Sequence, residues 1–288
     1  MYKRQKIYRL GQIIGLTLIC LFSACDPEVG VEWVNNYTDV GKSNLSYMDD
    51  CAEGFYNVIS AHPDWEGEFN VGNANAWEKH FKKSSLGGLD ESWVDEVDLV
   101  MFAGHGSAKT GTGRGSAFTF GKNANDDWFL VSTPSVREPK WGDDDLEWII
   151  FNSCSILCRE GDSSPHPGEE PVLYNICERW ANSDVMHGLH YILGFRTTTW
   201  DHTSRDRGRI FAEYLMGLRG SGTKHTIRCA WYFATKETDM DADNLGAYLR
   251  AYSDGANTLN DHIWECGNVS DDPDPDEQCY AYCSWPCL

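Results

Sequence analysis

The stretch Val97–Gly106, VDLVMFAGHG, and the later stretch Trp148–Cys154, WIIFNSC, decide the fold of this chain. Each begins as an apolar run with the length of a strand that is buried on both faces, which is typical of parallel sheets. The first run ends on His105 and the second on Cys154. Because parallel neighbouring strands deliver their C-terminal ends to one edge of a sheet, we expect the imidazole and the thiol to meet there. Such a pair is a nucleophile with its acid/base partner.

The composition indicates one α/β domain with flanking segments. The chain has 288 residues, of which 41% are hydrophobic, and its formal net charge is −20. This length suits one domain with tails better than two complete domains. Nucleic acid is excluded as an expected partner, because its phosphates require a basic surface. We therefore divide the chain into an N-terminal segment 1–24, a main domain 25–265 and an acidic, cysteine-rich C-terminal tail 266–288.

The N-terminal segment has the layout of an export signal. A basic start precedes the apolar run Ile13–Phe22, which is too short to span a membrane as a mature helix. The segment Leu21–Cys25, LFSAC, resembles a bacterial lipobox, in which the cysteine is lipidated and becomes the new N-terminus. This resemblance implies an exported protein of the bacterial cell envelope, anchored to a membrane through lipid on Cys25. A plain secretory signal that is cut nearby is the alternative.

The number of cysteines fits an oxidising compartment. Of the eleven cysteines, Cys20 leaves with the signal and Cys25 would carry lipid, so nine remain. Because nine is odd, four disulfides would leave one free thiol, as a cysteine enzyme requires. Parity alone does not say which thiol stays free. We expect Cys279, Cys283 and Cys287 to staple the C-terminal tail through disulfides rather than to bind zinc.

The rest of the pattern predicts strands alternating with helices. Asp239–Asn244, DMDADN, begins like a calcium loop but lacks the glycine at its sixth position, so we predict no EF-hand. No metal site or cofactor is expected, with calcium left open as a structural ion. We predict an opening strand near Val31–Val34, helices over Ser43–Ser60, Ala74–Lys83, Val172–Ala181, Ile210–Leu218 and Thr226–Ala234, a hairpin around Ala117–Phe120, a third buried strand over His187–Phe195 and an edge strand over Leu245–Tyr252.

The two opening motifs resemble the caspase-haemoglobinase fold of cysteine peptidases, which includes caspases, legumain, gingipains and clostripain. The signature of that fold is one apolar strand that ends on His-Gly and another that ends on Cys. A third stretch, Tyr191–Leu215, YILGFRTTTWDHTSRDRGRIFAEYL, is similar to the strand, substrate-pocket loop and glycine-led helix that follow the catalytic Cys in caspases. The resemblance covers roughly residues 94–218. It implies a three-layer α/β sandwich with a mostly parallel central sheet and helices on both faces. The arrangement also resembles an uncharacterised family of bacterial exported proteins.

What the caspase resemblance implies for function is a lipid-anchored cysteine endopeptidase with a protein or peptide substrate. Cys154 would attack the peptide carbonyl as a thiolate, and His105 would supply the proton that the leaving amine needs. The neighbouring imidazolium would lower the pKa of the thiol well below its usual value. The backbone N–H groups of Gly106 and Cys154 would face the developing oxyanion.

The same resemblance assigns a substrate pocket to Arg196, Thr197 and Asp201. Arg196 would favour an acidic side chain before the scissile bond, whereas Asp201 would favour a basic one. The sequence leaves this choice open.

Two other functions remain alternatives. The first is a non-catalytic surface lipoprotein that serves as a binding or scaffolding module, with Cys154 bonded to Cys158. The second is a thiol oxidoreductase, although the C-x-x-x-C spacing differs from the C-x-x-C of redox motifs.

Overall fold

The computed structural model describes residues 26–108, 116–121, 127–162, 175–264 and 270–288. These residues form ten strands: β1 (Glu28–Trp33), β2 (Glu66–Gly72), β3 (Leu99–Ala103), β4 (Gly106–Ala108), β5 (Ser116–Thr119), β6 (Phe129–Ser132), β7 (Trp148–Asn152), β8 (Tyr191–Phe195), β9 (Leu245–Tyr252) and β10 (Cys279–Pro286). They also form five α-helices: α1 (Met48–Ile59), α2 (Ile176–Arg179), α3 (Asp201–Ser204), α4 (Arg207–Met216) and α5 (Ile227–Thr238). Short 3-10 helices lie at Thr38–Val40, Asn73–Asn75, Glu78–His80, Ser84–Leu86, Asp90–Ser92 and Thr258–Asn260.

The central sheet contains seven strands in the order β10-β9-β8-β7-β3-β1-β2. The five strands from β2 to β8 in this order run parallel to one another. At the other end, β9 is antiparallel to β8 and β10 is antiparallel to β9. The protein therefore has a mixed α/β fold with a mostly parallel central sheet, as the sequence predicts. A separate antiparallel sheet, β4-β5-β6, includes the segment where a hairpin is predicted.

The central strands are covered on both faces, which confirms the interpretation of their apolar runs. Every residue of β3 and β7 is buried. On one face, Met101 and Ile150 pack in a core with the apolar sides of α1, α4 and α5. On the other face, Phe102 and Phe151 join an aromatic core to which β5, β6 and α2 contribute. This layering is compatible with a three-layer sandwich.

The prediction of a helix over Ala74–Lys83 is wrong, because the segment forms two separate 3-10 turns instead. The cause is the buried carboxylate of Glu32 on β1. It accepts a hydrogen bond from the Trp77 N–H at 3.1 Å and lies 2.5 Å from Nδ1 of His80. Trp77 adopts an extended conformation, with φ −120° and ψ 138°, and this interrupts the helical path. A tertiary contact thus overrides the local pattern of Trp77 and Phe81.

The C-terminal tail contributes the edge strand of the central sheet, so β9 is an interior strand and not the predicted edge. β10 pairs with β9 along its whole length, from Cys279 opposite Tyr252 to Pro286 opposite Leu245. Nε1 of Trp285 also donates a 2.9 Å hydrogen bond to Thr235 on α5. The eight cysteines within the described ranges all carry free thiols. Backbone hydrogen bonds and side-chain packing therefore attach this segment in the structure.

The other helices and strands predicted within the described ranges have counterparts there, with boundaries that shift by several residues. The helix predicted over Ser43–Ser60 starts at Met48, and the strand predicted over His187–Phe195 starts at Tyr191. The export signal, Cys25 and the first part of the Val172–Ala181 helix lie outside the described residues. No helix in the described ranges combines the length and the apolar character needed to cross a bilayer.

Candidate active site

The structure brings His105 and Cys154 to the same edge of the central sheet. Ala103, the last residue of β3, pairs with Asn152, the last residue of β7, and the histidine and the cysteine each follow two positions later. The backbone at Gly106 lies directly against the backbone of Cys154. A Cβ atom at Gly106 would lie 2.3 Å from the Cys154 carbonyl oxygen and 2.9 Å from its nitrogen. Only glycine allows this approach.

The imidazole of His105 is oriented by a backbone carbonyl. Its Nε2 lies 2.8 Å from the carbonyl oxygen of Ser43. Because a carbonyl can only accept a hydrogen bond, Nε2 carries the proton in the neutral ring. The lone pair of the neutral imidazole is then on Nδ1, which is the nitrogen that can accept a proton.

Tyr37 fixes the backbone around His105. Its hydroxyl accepts a 2.8 Å hydrogen bond from the His105 N–H and donates a 3.0 Å bond to the Thr119 carbonyl. The tyrosine and histidine rings are 4.5 Å apart at an angle of 53°. Burial raises the pKa of Tyr37, so its hydroxyl remains a protonated donor. Sequence reasoning missed this residue, because nothing in the pattern around it marks its long-range contacts.

The Cys154 thiol is held by the loop after β8. The thiol donates to the Thr199 carbonyl at 3.3 Å, and the Thr199 N–H donates back to Sγ at 3.4 Å. Burial raises the pKa of Cys154, although the Thr199 N–H and the positive charge of Arg207 act to lower it. The predicted lowering of the thiol pKa is therefore wrong for this state of the protein. The hydrogen bond to the carbonyl fits a neutral thiol.

The backbone turns sharply immediately after Cys154. Ser155 has a φ of +56°, in the left-handed region that is uncommon for residues other than glycine. Its N–H donates a 2.9 Å hydrogen bond to the carbonyl of Thr197, which holds the turn against the loop after β8. Backbone strain of this kind costs about 1–3 kcal/mol and is concentrated at functional sites.

A buried polar network lies behind the thiol, centred on Arg207 at the start of α4. Nη1 of Arg207 donates to Oδ1 of Asn152 at 2.7 Å and to Oγ1 of Thr199 at 2.9 Å. Asp239 accepts from Nη2 of the same guanidinium at 3.4 Å and from the Thr199 hydroxyl at 3.2 Å. All these side chains are buried. In the sequence, Asp239 begins the segment that resembles a defective calcium loop, which gave no sign of this role.

Arg196 and Thr197 lie in the loop after β8, and the side chains of both form hydrogen bonds with neighbouring segments. The guanidinium of Arg196 binds the Asp162 carboxylate through two hydrogen bonds of 2.9 and 2.6 Å. The hydroxyl of Thr197 accepts a 2.8 Å hydrogen bond from the backbone N–H of Leu245, at the start of β9. The positive charge of Arg196 is therefore matched within the protein.

Asp201 caps the N-terminus of α1 from across the loop. Its carboxylate accepts hydrogen bonds from the backbone N–H groups of Ser46, at 2.8 Å, and Tyr47, at 3.2 Å. A carboxylate is stabilised at this end of a helix, where N–H groups lack partners within the helix. The negative charge of Asp201 therefore has a structural partner next to the site.

Three carboxylates elsewhere could hold a metal ion, namely those of Glu78, Asp127 and Glu138. The ammonium group of Lys82 lies 3.2 to 3.5 Å from an oxygen of each one. This lysine therefore offsets the negative charge of the cluster.

Comparison with known families identifies the family of this chain and gives no activity. The model of a family described as a domain of unknown function, DUF6345, matches residues 31–285. The chain belongs to the DUF6345 family. The matched range includes His105, Cys154, Arg207 and most of β10. No curated protein matches the chain.

Proposed function

We propose that this member of the DUF6345 family is an exported cysteine endopeptidase with a caspase-like fold, in which Cys154 is the nucleophile and His105 its acid/base partner. The observation that carries the proposal is the shared position of the two residues beyond paired ends of neighbouring parallel strands. Two further features support the proposal, and no sequence pattern requires either of them. These are the carbonyl of Ser43 on Nε2 of His105 and the left-handed turn at Ser155.

Because the Cys154 thiol is neutral, its proton must leave during the first chemical step. As Sγ of Cys154 approaches the scissile carbonyl, its proton passes to Nδ1 of His105, and the sulfur–carbon bond forms. The imidazolium is stabilised through Nε2–H by the Ser43 carbonyl. It then gives the proton to the leaving amine as the carbon–nitrogen bond breaks. Water hydrolyses the remaining acyl-enzyme with His105 again acting as the base.

The oxyanion of the tetrahedral intermediate would be stabilised by the backbone N–H groups of Gly106 and Cys154. The backbones of these two residues lie against each other, which supports this pairing of donors. Each correctly placed donor of this kind contributes a few kcal/mol to the transition state. The missing side chain at Gly106 lets its backbone approach the backbone of Cys154 this closely.

The substrate pocket is assigned to the segment from Arg196 to Asp201, including Thr197. Because Asp162 matches Arg196 and the N-terminus of α1 matches Asp201, neither residue offers an unpaired charge to the substrate. The shape of this loop, rather than a single charge, would then select the residue before the cut. The same proposal includes lipid on Cys25, disulfide stapling of the tail and attachment to the bacterial cell envelope.

Hydrolysis of a fluorogenic peptide library by the full chain, purified in detergent, tests the proposal. Cys154→Ala and His105→Ala should each abolish hydrolysis, since catalytic units of this kind lose most of their activity with either member. Cys177→Ala is the matched control, because it removes an exposed thiol on α2 that lies outside the site. Hydrolysis that survives Cys154→Ala would contradict the proposal. A parent protein that cleaves no peptide would favour the non-catalytic scaffold.

A further inference from the structure

Arg207 is a fully buried cation, with a side chain that is 0% exposed. Burying a guanidinium is costly unless its charge is paired and its donors have acceptors. The only carboxylate that pairs with it among the described residues is that of Asp239, at 3.4 Å. The remaining partners are neutral, and burial lowers the pKa of Arg207. Burial of this charge has a high free-energy cost, and Arg207 lies beside the proposed nucleophile. We therefore expect a role of Arg207 beyond packing.

The donors of Arg207 connect separate pieces of the chain. Nη1 bonds to Asn152 at the end of β7 and to Thr199 in the loop after β8. Nε bonds to Thr238 at the end of α5, at 2.9 Å. A planar guanidinium presents its donors in a fixed fork, so it holds these partners at set positions relative to one another. Lysine has a single ammonium group and cannot reproduce this geometry.

Two of the connected pieces are the ones that place Cys154. Asn152 precedes the cysteine by two residues, and Thr199 contacts Sγ through both its N–H and its carbonyl. The Thr199 side chain receives the Arg207 hydrogen bond while its backbone holds the thiol. A short path of hydrogen bonds therefore leads from the guanidinium to the sulfur.

We propose that Arg207 is a positioning residue that, through Thr199 and Asn152, keeps the Thr199 N–H directed at the sulfur and so favours formation of the Cys154 thiolate. This inference rests on the proposed function of Cys154. Asp239 completes this hydrogen-bond network, because it binds both the guanidinium and the Thr199 hydroxyl and thereby fixes their relative orientation. A purely structural Arg207 would affect the stability of the fold and leave the ionisation of the thiol unchanged.

The pH dependence of Cys154 alkylation separates these two roles. The rate constant for iodoacetamide would be measured on the full chain from pH 6 to 10, with peptide mapping to follow Cys154 alone. Thr199→Val removes the hydroxyl and keeps the shape of the side chain. Arg207→Lys keeps the charge and removes the fork. Arg250→Lys is the control, because Arg250 is a buried arginine on β9 that bonds to Asn257 and Thr258.

We expect Thr199→Val and Arg207→Lys to slow alkylation by about tenfold at pH 7.5, roughly the effect of one lost hydrogen bond to a charged group. Both should move the midpoint of the profile to higher pH, and Arg250→Lys should leave the midpoint unchanged. If Arg207→Lys does not fold, Thr199→Val alone decides the question. An unchanged midpoint in a folded Thr199→Val variant would overturn the positioning role and leave the proposed function intact. A parent protein whose Cys154 fails to alkylate at any pH would overturn both.

Discussion

Replacing Tyr37 with Phe should destabilise the protein at the candidate site while preserving the packing of the ring. The Tyr37 hydroxyl is fully buried and bridges two backbone groups, the N–H of His105 and the carbonyl of Thr119. Thr119 in turn donates its N–H to the His105 carbonyl at 2.9 Å, so the three residues form a closed set of hydrogen bonds. Removal of one oxygen atom therefore leaves a donor and an acceptor without their partner.

The size of the effect follows from these two groups. A buried polar group that loses its partner costs about 1–3 kcal/mol. Two such groups, with some relaxation of the backbone, give an expected loss of about 3 kcal/mol in the free energy of unfolding. For a domain of this size, that corresponds to a fall in Tm of roughly 6–12 °C. Reactivity of Cys154 should fall as well, because the His105 backbone loses an anchor.

Urea unfolding, followed by tryptophan fluorescence, measures the change in free energy. The matched control is Tyr56→Phe on α1, since the Tyr56 hydroxyl has no hydrogen-bond partner within the part of the chain that the structure describes. Its stability should remain within about 0.5 kcal/mol of the parent protein. If Tyr37→Phe were no less stable than Tyr56→Phe, the bridging role of the Tyr37 hydroxyl would be refuted.

Two further predictions concern pH and location. Burial raises the pKa of Asp90 and of Asp98 to about 7, from the usual 3.8, so between these values the folded state binds more protons than the unfolded state. Stability should therefore fall as the pH rises from 5 to 8, by up to about 2.7 kcal/mol for Asp90 and by less for the partly exposed Asp98. Urea midpoints that stay constant or rise over this range would contradict the assignment. Separately, Cys25→Ser should release the protein from membranes or stall its processing, and unchanged membrane fractionation in detergent would count against lipidation.

The sequence carried enough information for the central strands and for the meeting of His105 with Cys154. The apolar runs of β3 and β7 are long, continuous and punctuated by small polar residues, so their burial and their shared edge follow from general rules. The family's match over residues 31–285 includes these strands. Local pattern and strand topology were sufficient for these features.

The features that escaped prediction depend on contacts between distant residues. Trp77 leaves the helical path because of Glu32, and Arg207 acquires its role only when Asn152, Thr199 and Asp239 surround it. The direction of the thiol pKa shift was also missed, because the effect of burial on Cys154 is a property of the folded loop. In the tail, the cysteine spacing favoured disulfides, although the alternating positions of β10 also fit a strand at the sheet edge.

The most direct test of the central claim is to map the thiols of the native full-length protein after brief treatment with iodoacetamide at pH 8. Cys154 should be recovered as a free thiol, and His105→Ala should slow its labelling relative to that of the exposed Cys177, because the base that accepts its proton is gone. Recovery of Cys154 in a disulfide, with Cys158 or any other cysteine, would contradict the claim. Labelling of Cys154 at the same rate with and without His105 would contradict it equally.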